Sequence, residues 1–243
     1  MLSDCYTDPF LSDFCVGRRP LRIASRKSTL AQAQVHECVR LLRSWFPKLW
    51  IQIQTVNTRG DKDKTTPLRL VENSQFFTDA VDKLVLRGNC HLAVHSAKDL
   101  PDPSITSVVA ITKGLDPSDL LVYSERYLWK RFPKHPRLGS SSLRRGEMLK
   151  TLFPKGQILD IRGTIEDRLE QLESGKYDAI VVAKAAIIRL HLNLPYTKVL
   201  PPPYHPLQGR LSITAAKNIE AWKKLLLPLN TSNIVQDKHL VSV

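Results

Sequence analysis

The amino-acid sequence predicts an α/β fold with a mostly parallel sheet. Strand-like and helix-like segments alternate along most of the chain, which is the pattern produced when helices connect parallel strands. The apolar run at residues 177–183 is typical of a strand that is buried on both faces. With 243 residues, the chain is long enough for one or two domains of this kind.

The first elements form half of a strand–helix–strand unit. We predict a strand at residues 21–24, a turn at 25–28 and a helix that runs to about Ser44. The helix is indicated by an apolar face at helical spacing, which consists of Ala31, Val35, Cys38, Leu42 and Trp45. Alternation with period two predicts a strand at 51–56. The charged, weakly patterned segment 62–74 predicts a mobile loop or lid.

The later elements continue the alternation. Further strands are predicted around Leu92 and Val94 and at 105–112, 158–161, 177–183 and 210–214. Further helices are predicted at 77–86, after the turns 139–145 and 162–168, and at 218–227. Five prolines between residues 194 and 206 exclude a helix or a central strand and indicate a crossing linker. The polar tail from Asn230 is expected to fray.

The composition limits the classes of function. There are 36 Lys and Arg against 23 Asp and Glu, so the net charge of +13 favours acidic partners. The arginines stand at separate turns rather than in a stripe with aromatic residues, so nucleic acid is not predicted. No apolar run approaches the ~20 residues of a membrane helix. The start of the chain lacks the pattern of a secretory signal. We therefore expect a cytoplasmic protein with free thiols.

Three turns that combine Arg with Ser or Thr, here called the Ser/Arg turns, connect a predicted strand to a predicted helix, at residues 25–28, 139–145 and 162–168. A helix N-terminus presents unpaired N–H groups, and arginine forks bind carboxylates. Any one turn is equally compatible with a capping serine beside a solvated arginine. All three lie at carboxyl ends of strands, where open α/β sheets bind ligands, so they predict a site for a polyanion.

The segment from His95 to Pro101 delivers Lys98 and Asp99 to a turn after an apolar strand. Adjacent strand residues point to opposite faces, so the two side chains need not pair. Asp99 is therefore the candidate acid/base group, and a salt bridge or a helix cap is the alternative. His91 and His95 are four residues apart on a strand, without a zinc-protease glutamate, so no metal site is expected.

Six ordered motifs resemble those of the porphobilinogen deaminase (hydroxymethylbilane synthase) family over about residues 20–227. They are Arg22–Ser28, Thr58–Asp61, His95–Pro101, Gly139–Arg145, Arg162–Leu169 and Tyr177–Val181. The resemblance implies two periplasmic-binding-protein-like (type II) α/β domains with a cleft between them. It places them at residues 20–112 with 203–228, and at 113–202, between an N-terminal extension (1–19) and a tail (229–243). We expect a shortened form, from which the family's third, α+β domain is absent.

The resemblance also implies a transferase of tetrapyrrole and haem biosynthesis. Such enzymes join four porphobilinogen molecules head to tail, with loss of ammonia, to give hydroxymethylbilane on a dipyrromethane cofactor. Asp99 corresponds to the catalytic carboxylate, which protonates the departing amine. The positions that bind acetate and propionate groups of cofactor and substrate correspond to Arg26, Ser28, Lys98, Ser141, Ser142, Arg144, Arg145, Arg162 and Arg168.

The family attaches its dipyrromethane to a cysteine of the third domain, and no cysteine of this chain matches that position. Three hypotheses stay open. The first is an active, monomeric deaminase whose primer is held noncovalently or by Cys5 or Cys15 on a flexible arm. The second is a protein that binds pyrroles or other small carboxylates without turnover. The third is an enzyme whose partner replaces the missing domain. The presence of Asp99 favours retained chemistry.

Overall fold

The computed structural model describes residues 3–63, 66 and 76–231. Most of the predicted loop at 62–74, and the tail beyond residue 231, therefore lie outside the described residues. The chain divides into two compact units. Of the described residues, the first unit contains 3–59, 76–115 and 210–231, and the second contains 60–63, 66 and 116–209. The domain boundaries drawn from the sequence stay a prediction.

The secondary structure follows the predicted alternation. The helices of the described residues are α1 (Ser3–Thr7), α2 (Ser12–Cys15), α3 (Thr29–Trp45), α4 (Arg59–Lys62), α5 (Asp79–Leu86), α6 (Leu143–Leu152), α7 (Ile165–Glu173), α8 (Lys184–Arg189) and α9 (Ile219–Leu225). The strands are β1 (Leu21–Arg26), β2 (Ile51–Val56), β3 (Leu92–Ser96), β4 (Ser107–Ile111), β5 (Asp119–Tyr123), β6 (Arg137–Gly139), β7 (Gln157–Leu159), β8 (Ala179–Ala183), β9 (Thr197–Val199) and β10 (Leu211–Ala215). No helix of the described residues is long and apolar enough to cross a membrane.

Both units contain a five-stranded sheet with the same pattern of strands. In the first unit the order is β2-β1-β3-β10-β4, and in the second it is β7-β6-β8-β5-β9. The first three strands of each order are parallel, whereas β10 and β5 run antiparallel to both of their neighbours. Four strands of each sheet therefore run in one direction, as predicted for a mostly parallel sheet, and a single opposing strand makes each sheet mixed. Among the described residues, the opposing strands are β10, the last strand of the chain, and β5, the first strand of the second unit.

Two strands lie where the sequence predicted none. Strand β5 follows Pro117 and is almost entirely buried, but it shows no alternation by which to recognise it. Strand β9 lies within the proline-rich segment that we interpreted as a linker. It has only three residues and is the edge strand of its sheet, which is the position where flanking prolines are tolerated.

The start of helix α3 is fixed by Ser28, the last residue of the first Ser/Arg turn. Ser28 precedes the helix, and its Oγ accepts a hydrogen bond of 3.4 Å from the Ala31 N–H, which is a helix N-cap. Most of the predicted apolar face is buried, including Val35 and Leu42. Trp45, at the last turn, is 54% exposed, so this residue does not extend the buried face.

The N-terminal residues belong to the core of the first unit. Phe14 is fully buried, with its ring centroid 5.3 Å from that of Trp222 and 5.1 Å from that of His91. Cys5 and Cys15 are also fully buried. The expectation of a flexible N-terminal arm is therefore wrong. Phe14 of α2 finds its partner on α9, which is distant in sequence, and Tyr6 of α1 packs on Phe46.

Candidate functional site

Asp99 lies at the carboxyl end of a buried strand. Strand β3 ends at Ser96 and continues directly into a single 3-10 turn, Ala97–Asp99. Ala97 is buried, and its N–H donates to the Arg210 carbonyl over 3.0 Å, which fixes the turn to the chain before β10. Asp99 is exposed and Lys98 is half-buried. The fold thus presents a carboxylate to solvent on a well-anchored turn.

A buried polar group lies on the same strand, four residues before Asp99. The Nε2 atom of His95 is 3.1 Å from Asp82 Oδ1, and the side chains of both are almost completely buried. The Thr106 hydroxyl donates to the same oxygen over 3.2 Å. Asp82 could not be recognised as a partner from local patterns, because the residue lies on α5, on the buried face of a short amphipathic helix. No group of ligands that could hold a metal is found among the described residues.

The first Ser/Arg turn places Arg26 at the end of β1. Its guanidinium lies 4.7 Å from the ring centroid of Phe77, a cation–π contact. Because β1 and β3 are adjacent and parallel, Arg26 and the turn that bears Lys98 and Asp99 follow neighbouring strands at one edge of the sheet. The first unit therefore brings together its predicted catalytic carboxylate and two of its predicted anion-binding cations.

The second Ser/Arg turn follows β6 and is held by its own hydroxyls. The Ser142 N–H donates to the Ser140 hydroxyl over 3.3 Å, and the Ser141 hydroxyl donates to the Ile161 carbonyl. Ser142 precedes α6, but its side chain makes no capping hydrogen bond. The first turn of α6 then carries Arg144 and Arg145.

Both of these arginines bind a carboxylate of the protein itself. Arg144 Nη2 lies 2.5 Å from Asp119 Oδ2, and Arg145 Nη2 lies 2.6 Å from Asp119 Oδ1. Burial by itself would raise the pKa of Asp119. The charge of Arg145 and the hydrogen bonds from both arginines and Gln208 outweigh burial and hold that pKa below its ordinary value. Asp119 is the feature of this region that sequence reasoning missed, since it lies 25 residues before Arg144.

The third Ser/Arg turn follows β7, which is paired in parallel with β6. The predicted capping box at the start of α7 is confirmed, because Thr164 and Asp167 exchange both hydrogen bonds. Arg162 donates to the carbonyls of Asp63 and Thr66, each over 2.8 Å. Burial lowers the pKa of the Arg162 guanidinium, against the opposing charges of Asp63 and Asp160. Arg168 Nε donates to the Gly163 carbonyl over 3.0 Å.

The second unit therefore gathers its predicted anion-binding residues at one sheet edge. The turns after β6 and β7 adjoin, since the Ser140 N–H donates to the Leu159 carbonyl over 2.9 Å and Ser141 bonds to Ile161. The arginines differ in access to solvent: the side chain of Arg144 is 28% exposed and that of Arg145 is 9% exposed. Arg144 is thus the member of the pair that can contact a ligand.

The four cysteines are free and buried, as expected for reduced thiols. Burial raises the pKa of Cys15 to about 11 and raises that of Cys5 and Cys90 as well. A thiol must ionise to act as a nucleophile, so these residues are poorly suited to covalent attachment of a cofactor. The expectation that Cys5 or Cys15 would be an accessible attachment point is wrong for the same reason that the arm is not flexible: both lie in the core.

Comparison with known proteins identifies the family. Residues 21–224 match the family model described as "Porphobilinogen deaminase, dipyromethane cofactor binding domain". The chain belongs to the porphobilinogen deaminase family. It is 64% identical over 230 residues to "Probable porphobilinogen deaminase" of Chlamydia pneumoniae, with 95% of this chain and 98% of that protein covered. It is 35% identical over 218 residues to "Porphobilinogen deaminase" of Roseiflexus castenholzii, with 88% of this chain and 72% of that protein covered.

The fold is also found among solved structures. The probable amino-acid ABC transporter extracellular-binding protein ytmK from Bacillus subtilis superposes with a TM-score of 0.51 at 12% identity, covering 92% of this chain and 94% of that protein. This likeness concerns the fold alone. It agrees with the predicted fold class of two α/β units of the periplasmic-binding-protein type.

The family model names a dipyrromethane cofactor, and the described residues fit its anionic groups. Each unit presents cations at the carboxyl ends of parallel strands, at Arg26 and Lys98 in the first and at Arg144, Arg162 and Arg168 in the second. These residues can hold carboxylates without a covalent bond. The buried thiols do not offer a matching attachment point.

Proposed function

We propose that this chain carries out the reaction of the porphobilinogen deaminase family with Asp99 as its catalytic carboxylate. It is a transferase that condenses four porphobilinogen molecules head to tail to hydroxymethylbilane, with loss of ammonia, in tetrapyrrole and haem biosynthesis. The observation that carries the assignment of Asp99 is its position: it is exposed, on an anchored turn, beside Lys98 and on the same sheet edge as Arg26.

The chemistry requires one acid and several cations. Porphobilinogen carries an aminomethyl group, and its loss as ammonia requires a proton on the departing nitrogen. The Asp99 carboxyl delivers that proton from its Oδ atom. As a carboxylate it then stabilises the positive charge that develops on the pyrrole nitrogen, which is the electrostatic contribution expected of a group preorganised beside the reacting atoms.

The remaining residues bind and orient the substrate carboxylates. In the first unit these are Arg26 and Lys98, with Ser28 at the start of α3. In the second unit they are Ser141, Ser142, Arg144, Arg162 and Arg168. Bound dipyrromethane supplies the primer to which porphobilinogen is joined. The net charge of +13 suits this function, because every pyrrole that is added brings two further carboxylates.

The role of Asp99 is tested by Asp99→Asn, with Asp102→Asn as the matched control. Asp102 is an exposed carboxylate on the same loop, outside the proposed machinery. We expect Asp99→Asn to lower porphobilinogen consumption and ammonia release by at least about a hundredfold, with porphobilinogen affinity retained and Asp102→Asn close to wild type. Near-normal turnover in Asp99→Asn would overturn the assignment. Binding without consumption by the wild-type chain would instead favour the hypothesis of a binding protein.

Location and assembly are also proposed. The four free thiols support a reducing, cytoplasmic location, because disulfides are the usual sign of an oxidising one. We propose that the chain acts as a monomer, and a partner that replaces the family's third domain stays a prediction. Sedimentation of the purified chain together with its activity tests both statements: an active species at 27.6 kDa supports the monomer and excludes the need for a partner.

A further inference from the structure

The strongest unexplained feature of the second unit is the fully buried carboxylate of Asp119. Asp119 is the first residue of β5 and is 0% exposed. One oxygen accepts from Arg145 Nη2 (2.6 Å), Arg145 Nε (3.0 Å) and Gln208 Nε2 (2.8 Å), and the other accepts from Arg144 Nη2 (2.5 Å). A carboxylate with four donors is thoroughly satisfied, and it fixes the side chains that surround it.

The two arginines are held in different ways. The Arg145 guanidinium is buried between Asp119 and Gln208, whose Oε1 accepts from Arg145 Nη2 over 3.1 Å. The Arg144 guanidinium is partly open to solvent, and its Nη1 donates to the Pro203 carbonyl over 2.7 Å. The Arg145 guanidinium is therefore enclosed by protein and cannot contact a ligand, whereas the Arg144 guanidinium is partly exposed and can.

The cluster of Asp119, Arg144 and Arg145 has a net positive charge, part of which is exposed to solvent. Two guanidinium groups and one carboxylate carry a net charge of +1, and the exposed part of that charge is on Arg144. An arginine side chain on a protein surface has many rotamers, and ordering it on binding costs free energy. A guanidinium that is already oriented by a buried carboxylate and a backbone carbonyl avoids most of that cost.

We propose that Asp119 is a positioning residue for the reaction: it acts through Arg144, which it orients to bind a carboxylate of the substrate or of the growing pyrrole chain. Arg145 supports this arrangement from within the protein and does not contact the ligand. The inference deepens the proposed function and rests on it, because it assumes that Arg144 binds pyrrole carboxylates.

A second buried carboxylate of the same unit provides a matched control. Asp178 is 4% exposed and binds two arginines, with distances of 2.8 Å to Arg126 Nη2 and 3.1 Å to Arg137 Nη2, and it accepts from the Tyr127 hydroxyl over 2.6 Å. None of these partners belongs to the predicted site. Replacement of either aspartate removes the buried carboxylate that binds two arginines, so both variants should lose stability.

The experiment compares Asp119→Asn, Asp178→Asn, Arg144→Gln and the double variant Asp119→Asn/Arg144→Gln. For each we would measure KM and kcat with porphobilinogen, the affinity for porphobilinogen by titration calorimetry, and the Tm. We expect Asp119→Asn to raise KM and weaken binding about tenfold, with a smaller change in kcat, since loss of one oriented charge-assisted hydrogen bond amounts to about that factor. Asp178→Asn should lower the Tm without changing KM.

The double variant tests the route of the effect. Once Arg144 has been replaced, Asp119→Asn should raise KM no further, because the residue through which it acts is gone. An equal rise in KM for Asp119→Asn and Asp178→Asn, or a full additional rise in the double variant, would overturn the inference. If Asp119→Asn does not fold, Gln208→Leu loosens the same carboxylate while keeping its charge; it should raise KM about threefold, and an unchanged KM would count against the proposal.

Failure of the proposed function would be visible separately. If the wild-type chain binds porphobilinogen without consuming it, the deaminase assignment fails, while the calorimetric comparison still tests whether Asp119 positions Arg144. If the wild type is active and only the predicted pattern of affinities is missing, the inference about Asp119 fails and the function stands.

Discussion

Acidification should destabilise the first unit through His91. The ring of His91 packs against Phe14 and Trp222, and its Nδ1 accepts a hydrogen bond of 3.0 Å from the Arg22 N–H. Its Nε2 is buried and finds no hydrogen-bond partner among the residues that the structure describes. Because Nδ1 accepts, the neutral ring already carries its proton on Nε2, and a second proton on Nδ1 would break the hydrogen bond from the Arg22 N–H. Burial, with the charges of Arg22 and Arg19, accordingly lowers the pKa of His91 to about 4.

The sign of the effect follows from the two states. Below pH 6.5 the unfolded chain protonates His91, while the folded chain does not do so until about pH 4. Stability therefore falls as the pH is lowered from 6.5 to 4 and is insensitive to this group at still lower pH. At about 1.4 kcal/mol per unit of pKa, the full shift corresponds to about 3 kcal/mol. Because the ring is only half-buried, solvent screening reduces this figure, and we expect about 1–2 kcal/mol.

The assay is urea unfolding followed by tryptophan fluorescence at pH 7.0, 5.5 and 4.5, since Trp222 contacts the imidazole. The matched variant is His91→Asn, whose Oδ1 can accept from the Arg22 N–H but does not titrate. The wild type should lose about 1–2 kcal/mol across this range, and the variant should lose markedly less. Asp116 and Asp178 have pKa values of about 2, so their contributions are lost only below about pH 3.8, outside the range. Equal losses in wild type and variant would refute the reasoning.

Three further predictions concern other parts of the chain. Phe14→Ala should lower the free energy of unfolding of the first unit by about 3–5 kcal/mol, as for other buried aromatic residues, and a loss below about 1 kcal/mol in urea unfolding would mean that the N-terminal helices are not part of the core. The intact mass of the purified chain should show no dipyrromethane on any of its four cysteines, and an adduct mapped to one of them would contradict the burial of these thiols. Gly163 has φ +104°, and a Cβ added there would lie 2.6 Å from Asp167 Cβ. Gly163→Ala should therefore lower the free energy of unfolding by about 2 kcal/mol or more and weaken porphobilinogen binding by displacing Arg162. An unchanged calorimetric affinity would show that Arg162 tolerates the shift.

Much of the candidate site could be predicted from local sequence patterns. Asp99 and the three Ser/Arg turns follow segments with clear strand character, and the carboxyl ends of neighbouring parallel strands must meet at one edge of a sheet. Thr164 and Asp167 could be recognised as a capping box because both partners lie within one helical turn. Such features need only the residues immediately around them.

The rest depends on contacts between distant residues. Asp119 binds Arg144 and Arg145 across 25 and 26 residues, and no short motif marks that pairing. The same holds for Asp82 and His95, whose pairing requires α5 to lie on β3. The N-terminal helices carried a usable signal, since Phe10, Leu11 and Phe14 have helical spacing. Their partner on α9, Trp222, is too far along the chain for any local pattern to indicate the contact.

The route of the chain through the first sheet affects how the protein folds while the ribosome is making it. Strand β10 lies between β3 and β4, and every one of its residues is buried. A ribosome that has made β1 to β4 has thus supplied only part of this sheet, with the facing edges of β3 and β4 unpaired until residues 211–215 emerge. Among the described residues, the last strand of the second unit ends at residue 199. Although domains generally fold in N-to-C order during synthesis, here the later-made unit can finish first, and the earlier one must wait in an aggregation-prone form for its last strand.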